Sequence, residues 1–172
     1  MDNNGVVNKF FKGEMVFENH WRQLALERIN EMIGVFPGRK DFIAFYLTYN
    51  GGVFTQGADF YSNDIYDLPE DYRSMEVGSF LHIPLPDDGN TESHTYSIEK
   101  EKVRRTGFSE KFDDFILSHL PFADNEGDNT FWIDIKTGEV KYTDFEFMGY
   151  NPDKTIVVAS SFSDFCKRIE AL

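Results

Sequence analysis

Thirty acidic residues and four histidines are the main supply of chemistry in this chain, and their spacing decides what they could do. The densest cluster is Asp124-Asn125-Glu126-Gly127-Asp128-Asn129. A calcium loop of the EF-hand type opening at Asp124 needs glycine at its sixth position and glutamate at its twelfth. Those positions hold Asn129 and Ile135, so the match fails. The cluster reads as an acidic loop leading into a strand or, functionally, as a rim for a basic partner. His20, His82, His94 and His119 have no zinc-ligand spacing, and H-E-x-x-H is absent. Cys166 is alone, which excludes an internal disulfide and a multi-cysteine zinc site. Its place in a helical apolar stripe makes it a small core residue rather than a nucleophile. The adjacent glycines Gly51 and Gly52 belong to neither phosphate-cradling motif, and no G-x-S-x-G elbow exists. Paired carboxylates serve acid–base catalysis only at a defined separation in space, and thirty acids make chance pairs inevitable. The expectation is no catalytic residue, no metal and no cofactor, hence no enzyme.

Seventeen basic against thirty acidic residues leave a formal charge of −13. Such a chain repels phosphate backbones, so direct nucleic acid binding is disfavoured. The same surface suits a basic protein partner, or it serves solubility alone. No apolar run approaches the roughly 18 residues of a membrane span. The opening Met1-Asp2-Asn3-Asn4-Gly5 has no signal-peptide pattern. The cytoplasm is the expected compartment. A length of 172 residues, with 18 Phe, 8 Tyr and 2 Trp for a core, predicts one domain over 1–172. Residues 1–18 form an N-terminal extension to it. The oligomeric state is open.

The elements that must position these groups follow from periodicity. Val6, Val7, Phe10 and Phe11 have the spacing of a short helix. Trp21, Leu24, Ala25, Ile29 and Met32 share a helical stripe that stops at Gly34. Pro37 opens a second helix carrying Phe42, Phe45, Tyr46 and Tyr49, which Asn50-Gly51-Gly52 ends. Residues 57–61 and 76–81 read as strands, with a turn into a short helix at 68–72 between them. Residues 84–90 read as a loop. The run from Glu99 to Arg105 reads as a solvated charged face. Phe112, Phe115 and Ile116 mark a helix ending at Pro121. Phe131, Ile133 and Ile135 alternate with Trp132, Asp134 and Lys136, as in a half-buried strand. A two-residue turn at Thr137-Gly138 sets Asp134 opposite Lys141 and Trp132 opposite Thr143. Ile156-Val157-Val158-Ala159 predicts a central strand. Ser161 and Asp164 form a capping box for a last helix bearing Phe162, Phe165, Cys166 and Ile169.

Several stretches in order resemble the SUKH superfamily, the family of the yeast glucan-synthesis and cell-wall-assembly regulator. They begin with Glu27 to Ile33, Gly34-Val35-Phe36-Pro37, and Phe42 onward to Tyr49-Asn50-Gly51-Gly52. They continue with Leu120-Pro121-Phe122-Ala123-Asp124 and the hairpin from Asn129 to Glu146. They end with Val158-Ala159-Ser160-Ser161-Phe162-Ser163-Asp164-Phe165. Residues 36–39 depart from the family pattern, and 55–115 match loosely. The resemblance implies an α+β fold: one mixed or antiparallel sheet with an N-terminal helix pair and a C-terminal helix packed around it. It implies no enzymatic activity. Many bacterial members are implied to be immunity proteins that bind and neutralise a cognate polymorphic or contact-dependent toxin, nucleases among them. Eukaryotic members are implied to be regulatory or scaffolding modules.

Three functional readings follow. The first is an immunity protein that docks a basic toxin domain. The second is a cytoplasmic regulatory module of the cell-wall type with no toxin partner. The third is a hydrolase using carboxylates, which a cleft with two close, pKa-shifted acids would favour. For the binding readings the candidate residues are Asp124, Glu126, Asp128, Asp144 and Glu146, as an acidic surround to Trp132. Trp132 is equally suited to a place in the core beneath a helix.

Overall fold

The computed structural model describes residues 6–7, 10–12, 15–18, 21–62, 66–87 and 97–172. His20, His94, the start of the chain and the last part of the 84–90 loop lie outside them. Eleven strands and five α-helices follow one another along the described chain, an α+β arrangement. The strands are β1 (Val6–Val7), β2 (Met15–Glu18), β3 (Gly52–Phe54), β4 (Ala58–Tyr61), β5 (Ser74–Glu76), β6 (Ser79–Phe80), β7 (His119–Asp124), β8 (Thr130–Asp134), β9 (Val140–Thr143), β10 (Ile156–Ala159) and β11 (Ile169–Ala171). The helices are α1 (Leu26–Met32), α2 (Arg39–Thr48), α3 (Ile98–Arg105), α4 (Glu110–Ser118) and α5 (Phe162–Lys167). Eight strands make one sheet in the order β1-β2-β3-β6-β7-β8-β9-β10, and β11-β4-β5 make a second, smaller one. Each of these neighbouring pairs is antiparallel.

The long sheet is covered on both faces, and the two faces of β8 show it. Phe131 and Ile133 enter the larger core, where Phe131 meets Phe165 of α5 at 4.9 Å between ring centroids. Phe45, Phe80, Phe122 and Phe162 continue that aromatic layer. Trp132 points the other way, into a second cluster with Phe112, Phe115 and Ile116 of α4. The period-2 alternation is therefore real, but the face expected to be polar is roofed by α3 and α4. The smaller sheet closes the larger core, with Phe60 of β4 stacked on Phe165 at 4.8 Å.

Several expectations need correction. The first 18 residues hold two short strands, not a helix, among those described. There β2 pairs with β3, Phe17 facing Phe54. The stripe from Trp21 becomes helical only at Leu26. Ala25 provides no side-chain cap, and the Asn50 amide engages the Arg22 carbonyl instead. Residues 76–81 are two strands in two sheets. Val77 donates to Ala58 of the small sheet, and Gly78 donates to Asp124 of the long one.

The run from Glu99 to Arg105 is a solvated face only in part, with Glu99 and Lys100 exposed. Glu101 and Arg105 are buried, paired at 2.9 Å, and Glu101 also accepts from Thr130 Oγ1 at 2.6 Å. Helix α4 stops at Ser118, and Pro121 lies inside β7. The β8–β9 register differs by two residues from expectation: Trp132 faces Lys141 and Ile133 faces Val140. Asp134 lengthens the turn by accepting from the amides of Lys136 and Thr137. A slip of two preserves which side chains share a face, so Lys141 still reaches Asp134 at 2.8 Å. Strand β10 is an edge strand, paired with β9 alone. Ile169 lies in β11, past the end of α5.

The capping box forms nearly as the sequence predicts. Ser161 accepts from the Asp164 amide at 3.1 Å, and Asp164 reaches back to the Ser160 amide at 3.0 Å. Asn50-Gly51-Gly52 does more than stop α2. The Asn50 side chain accepts from the Ile83 amide at 2.7 Å and donates to the Ile83 carbonyl at 2.8 Å, standing in for a strand neighbour.

Candidate functional site

Two clefts lie between the small sheet and the end of β7, of about 470 and 540 Å³. Glu76, Asp124, Glu126 and Asp128 line the first. Asp71, Glu76, Asp144, Tyr72 and Phe147 line the second. They share Glu76 and Asn125, so they adjoin, and together they make an acidic trough with six carboxylates in its walls.

Each carboxylate is held differently. Asp124 ends β7 and accepts from Ser79 Oγ on the paired strand β6. Burial is the largest influence on it, and the carboxyl is pushed up to about 6. Glu126 sits exposed at the tip of the turn between β7 and β8. Its charge, after burial, is what raises Glu76 above the usual carboxylate range. Asp128 follows in a left-handed conformation, φ 62°. Burial pushes its carboxyl up, but Arg104 at 2.6 Å and Arg105 at 3.0 Å outweigh that and hold it below the usual range. Asp144 is buried after β9, where it accepts from the amides of Glu146 and Phe147 and from the Tyr72 hydroxyl. Asp71 is exposed.

The expected site residues thus divide. Asp124, Glu126, Asp128 and Asp144 come together in the trough. Glu146 is exposed in the turn beside it and lines neither cleft. Trp132 is fully buried under α4 and offers no surface, as its alternative placement in the core required. Sequence reasoning missed Asp71, Glu76 and the aromatic wall formed by Tyr72 and Phe147. Phe147 is 71% exposed, unusual for a phenylalanine. No spacing signal links residues 71–76 to residues 124–147; the chain passing from β5 through Val77 and Gly78 into β6, and the pairing of β6 with β7, do.

The two raised carboxyls do not act on each other first. The charges that most affect Asp124 are Glu101, Arg104 and Asp128, whereas Glu76 answers to Glu126 and Asp59. Among the described residues no group of three or more His, Cys, Asp and Glu is arranged to hold a metal. Cys166 is buried and its thiol is pushed up by burial. His119 is buried against Phe115, and burial followed by the Lys141 ammonium lowers it to about 4. These are properties of packed side chains rather than of a nucleophile or a general base poised near neutrality. What the trough offers chemically is a concave anionic surface with an exposed aromatic edge. No helix among the described residues is long and apolar enough to cross a membrane.

The model of the SMI1 / KNR4 family (SUKH-1) matches residues 24–168 of the chain. No curated protein and no solved structure matches it at a significant level.

Proposed function

This chain belongs to the SMI1 / KNR4 family (SUKH-1), and from that premise we propose that it is a non-enzymatic binding protein. In this reading it is an immunity protein that neutralises a cognate toxin domain by docking its acidic trough onto a basic surface. The observation that carries the reading is the trough itself: six carboxylates converging from β5, β7 and the turns beside them, on a chain of charge −13. A nuclease must present a basic cleft to its substrate. A rigid anionic body seated there repels and displaces the nucleic acid. Phe147 at the trough wall supplies the aromatic anchor expected near the centre of an interface. The protein then acts in the cytoplasm of the cell that makes the toxin and needs neither metal nor cofactor. In this reading the carboxylates, the two raised acids Asp124 and Glu76 among them, serve recognition rather than hydrolysis.

The test begins with the DNA flanking the gene. A large neighbouring frame with an export region and a variable C-terminal domain identifies the toxin. That domain, mixed one to one with this protein, loses its activity. Replacing Asp71 and Glu126 by lysine weakens the complex by about a hundredfold, as the loss of two close charge pairs would. Housekeeping neighbours, or full toxin activity in the presence of the protein, overturn the reading and leave the regulatory-module function.

A further inference from the structure

Resting on the reading of the trough as the seat of a basic partner, we infer that the partner enters it as an extended segment that adds to the open edge of β5. The hydrogen-bond phase of the small sheet carries this. Ser62 donates to the carbonyl of Arg73, and Val77 donates to the carbonyl of Ala58. In an antiparallel ladder bonded pairs alternate with non-bonded ones. Met75 is therefore the bonded partner of Phe60, while Ser74 and Glu76 face Tyr61 and Asp59 in non-bonded pairs. The main-chain N–H and C=O groups of Ser74 and Glu76 point away from β4. That side is the outer edge of the sheet, since β5 ends the order β11-β4-β5. No described residue takes up those groups. The second cleft runs along this edge, lined by Ser74, Met75 and Glu76 in succession.

An unpaired strand edge is a template for another strand, and proteins protect such edges with short length and charge. Strand β5 has both protections, three residues and Glu76, so the edge turns away neutral and acidic strands. Its surroundings select a basic one. Asp71, Glu76 and Asp144 line the second cleft and Glu126 the adjoining one, while Asp128 there is already paired with Arg104 and Arg105. The Arg73 guanidinium, next to β5 in the chain, is turned elsewhere and donates to the Leu68 carbonyl. A second copy of this chain is a poor occupant, because each copy brings a charge of −13. Successive side chains of an added strand point to opposite faces. Basic side chains at alternate positions meet the carboxylates, and an apolar one between them meets Phe147, Tyr72 and Met75.

The probe is a blocked heptapeptide alternating lysine and valine, added to the full chain at low salt. Saturable binding is expected, with slowed hydrogen exchange at the Ser74 and Glu76 amides. N-methylation of alternate peptide residues keeps the charge and removes donors. Of the two methylated isomers, the one whose bonding edge is blocked binds about tenfold more weakly, as the loss of two hydrogen bonds would give. Ser74→Pro removes an outward N–H that β4 does not use, and it abolishes the protection. If Ser74→Pro fails to fold, the two isomers decide alone. Equal binding of both isomers without protection at Ser74 and Glu76 overturns strand addition while leaving charge-based docking intact. Absence of saturable binding also overturns it. The acidic-surface reading fails separately, when Asp71→Lys with Glu126→Lys leaves toxin inhibition unchanged.

Discussion

Asp124 and His119 oppose each other across the same pH range. Asp124 titrates at about 6 in the fold against an ordinary 3.8. Between those values the folded protein holds the proton that the unfolded chain has released. Stability therefore falls as pH rises through that window and stays lowered above it, by about 3 kcal/mol. His119 titrates at about 4 in the fold against an ordinary 6.5. Its contribution is present above the unfolded value and is lost as pH falls from 6.5 towards 4, because the unfolded chain takes up a proton that the buried ring resists. Asp124→Asn keeps an acceptor for Ser79 and removes the charge. Its gain over the parent protein, in urea unfolding at several pH values, should be small at pH 4 and level off above pH 6. His119→Gln should lose less stability than the parent between pH 6.5 and 4. Curves parallel to the parent for both variants would show that neither group is perturbed by the fold. The polar partners of both groups are distant in sequence: the Ser79 hydroxyl, which opposes the rise of Asp124, and the Lys141 ammonium, which adds to the lowering of His119, so no local pattern announces them.

At the scale of elements, the Asn50-Gly51-Gly52 segment shows how one motif takes its meaning from its neighbours. A helix stop needs residues that tolerate the left-handed region, and Gly51 satisfies that with φ 71°. Gly52 meets a second demand. A Cβ there would stand 2.5 Å from the Glu18 carbonyl oxygen and 2.7 Å from the Phe17 ring, where β2 closes on β3. Gly107 offers the contrast, with φ +93° and nothing within 4 Å of its would-be Cβ. Gly107→Ala should cost about 1 to 2 kcal/mol, the backbone strain alone. Gly52→Ala should cost well beyond that or prevent β2 from docking, since both obstacles belong to packed strands. Equal losses in denaturant unfolding would refute the close-approach argument. Helix α3 teaches the converse. Its run of charges reads as a surface, yet Glu101 and Arg105 are buried as a pair that Thr130 and the Asp128 carbonyl complete. Burial of a charge is acceptable when paired and hydrogen-bonded, and those partners lie on the strand and turn beneath, outside any helical window.

At the scale of the molecule, the charge of −13 acts as a field as well as a set of contacts. Under the proposed function, association with a basic toxin domain should be electrostatically steered, with its rate falling about tenfold or more between low and physiological salt. Stopped-flow mixing at several salt concentrations measures this; a rate indifferent to salt would confine the acidity to solubility. The family resemblance, the α+β class, the second helix, the β8–β9 hairpin and the capped last helix were legible in the residues. The elements rest on short-range periodicity or on a cap whose partners lie within a few positions, and the α+β class on what the resemblance implies from its ordered stretches. The acidic loop around Asp124 was legible for the same reason. The sheet order decided everything else. It placed β10 at an edge, sent residues 76–81 into two sheets, and roofed Trp132 with α4. It also drew Asp71 and Glu76 to Asp124 across some fifty residues of chain. Hydrophobic alternation tells which residues share a face of a strand. Only the packing of helices on both faces decides whether that face meets water.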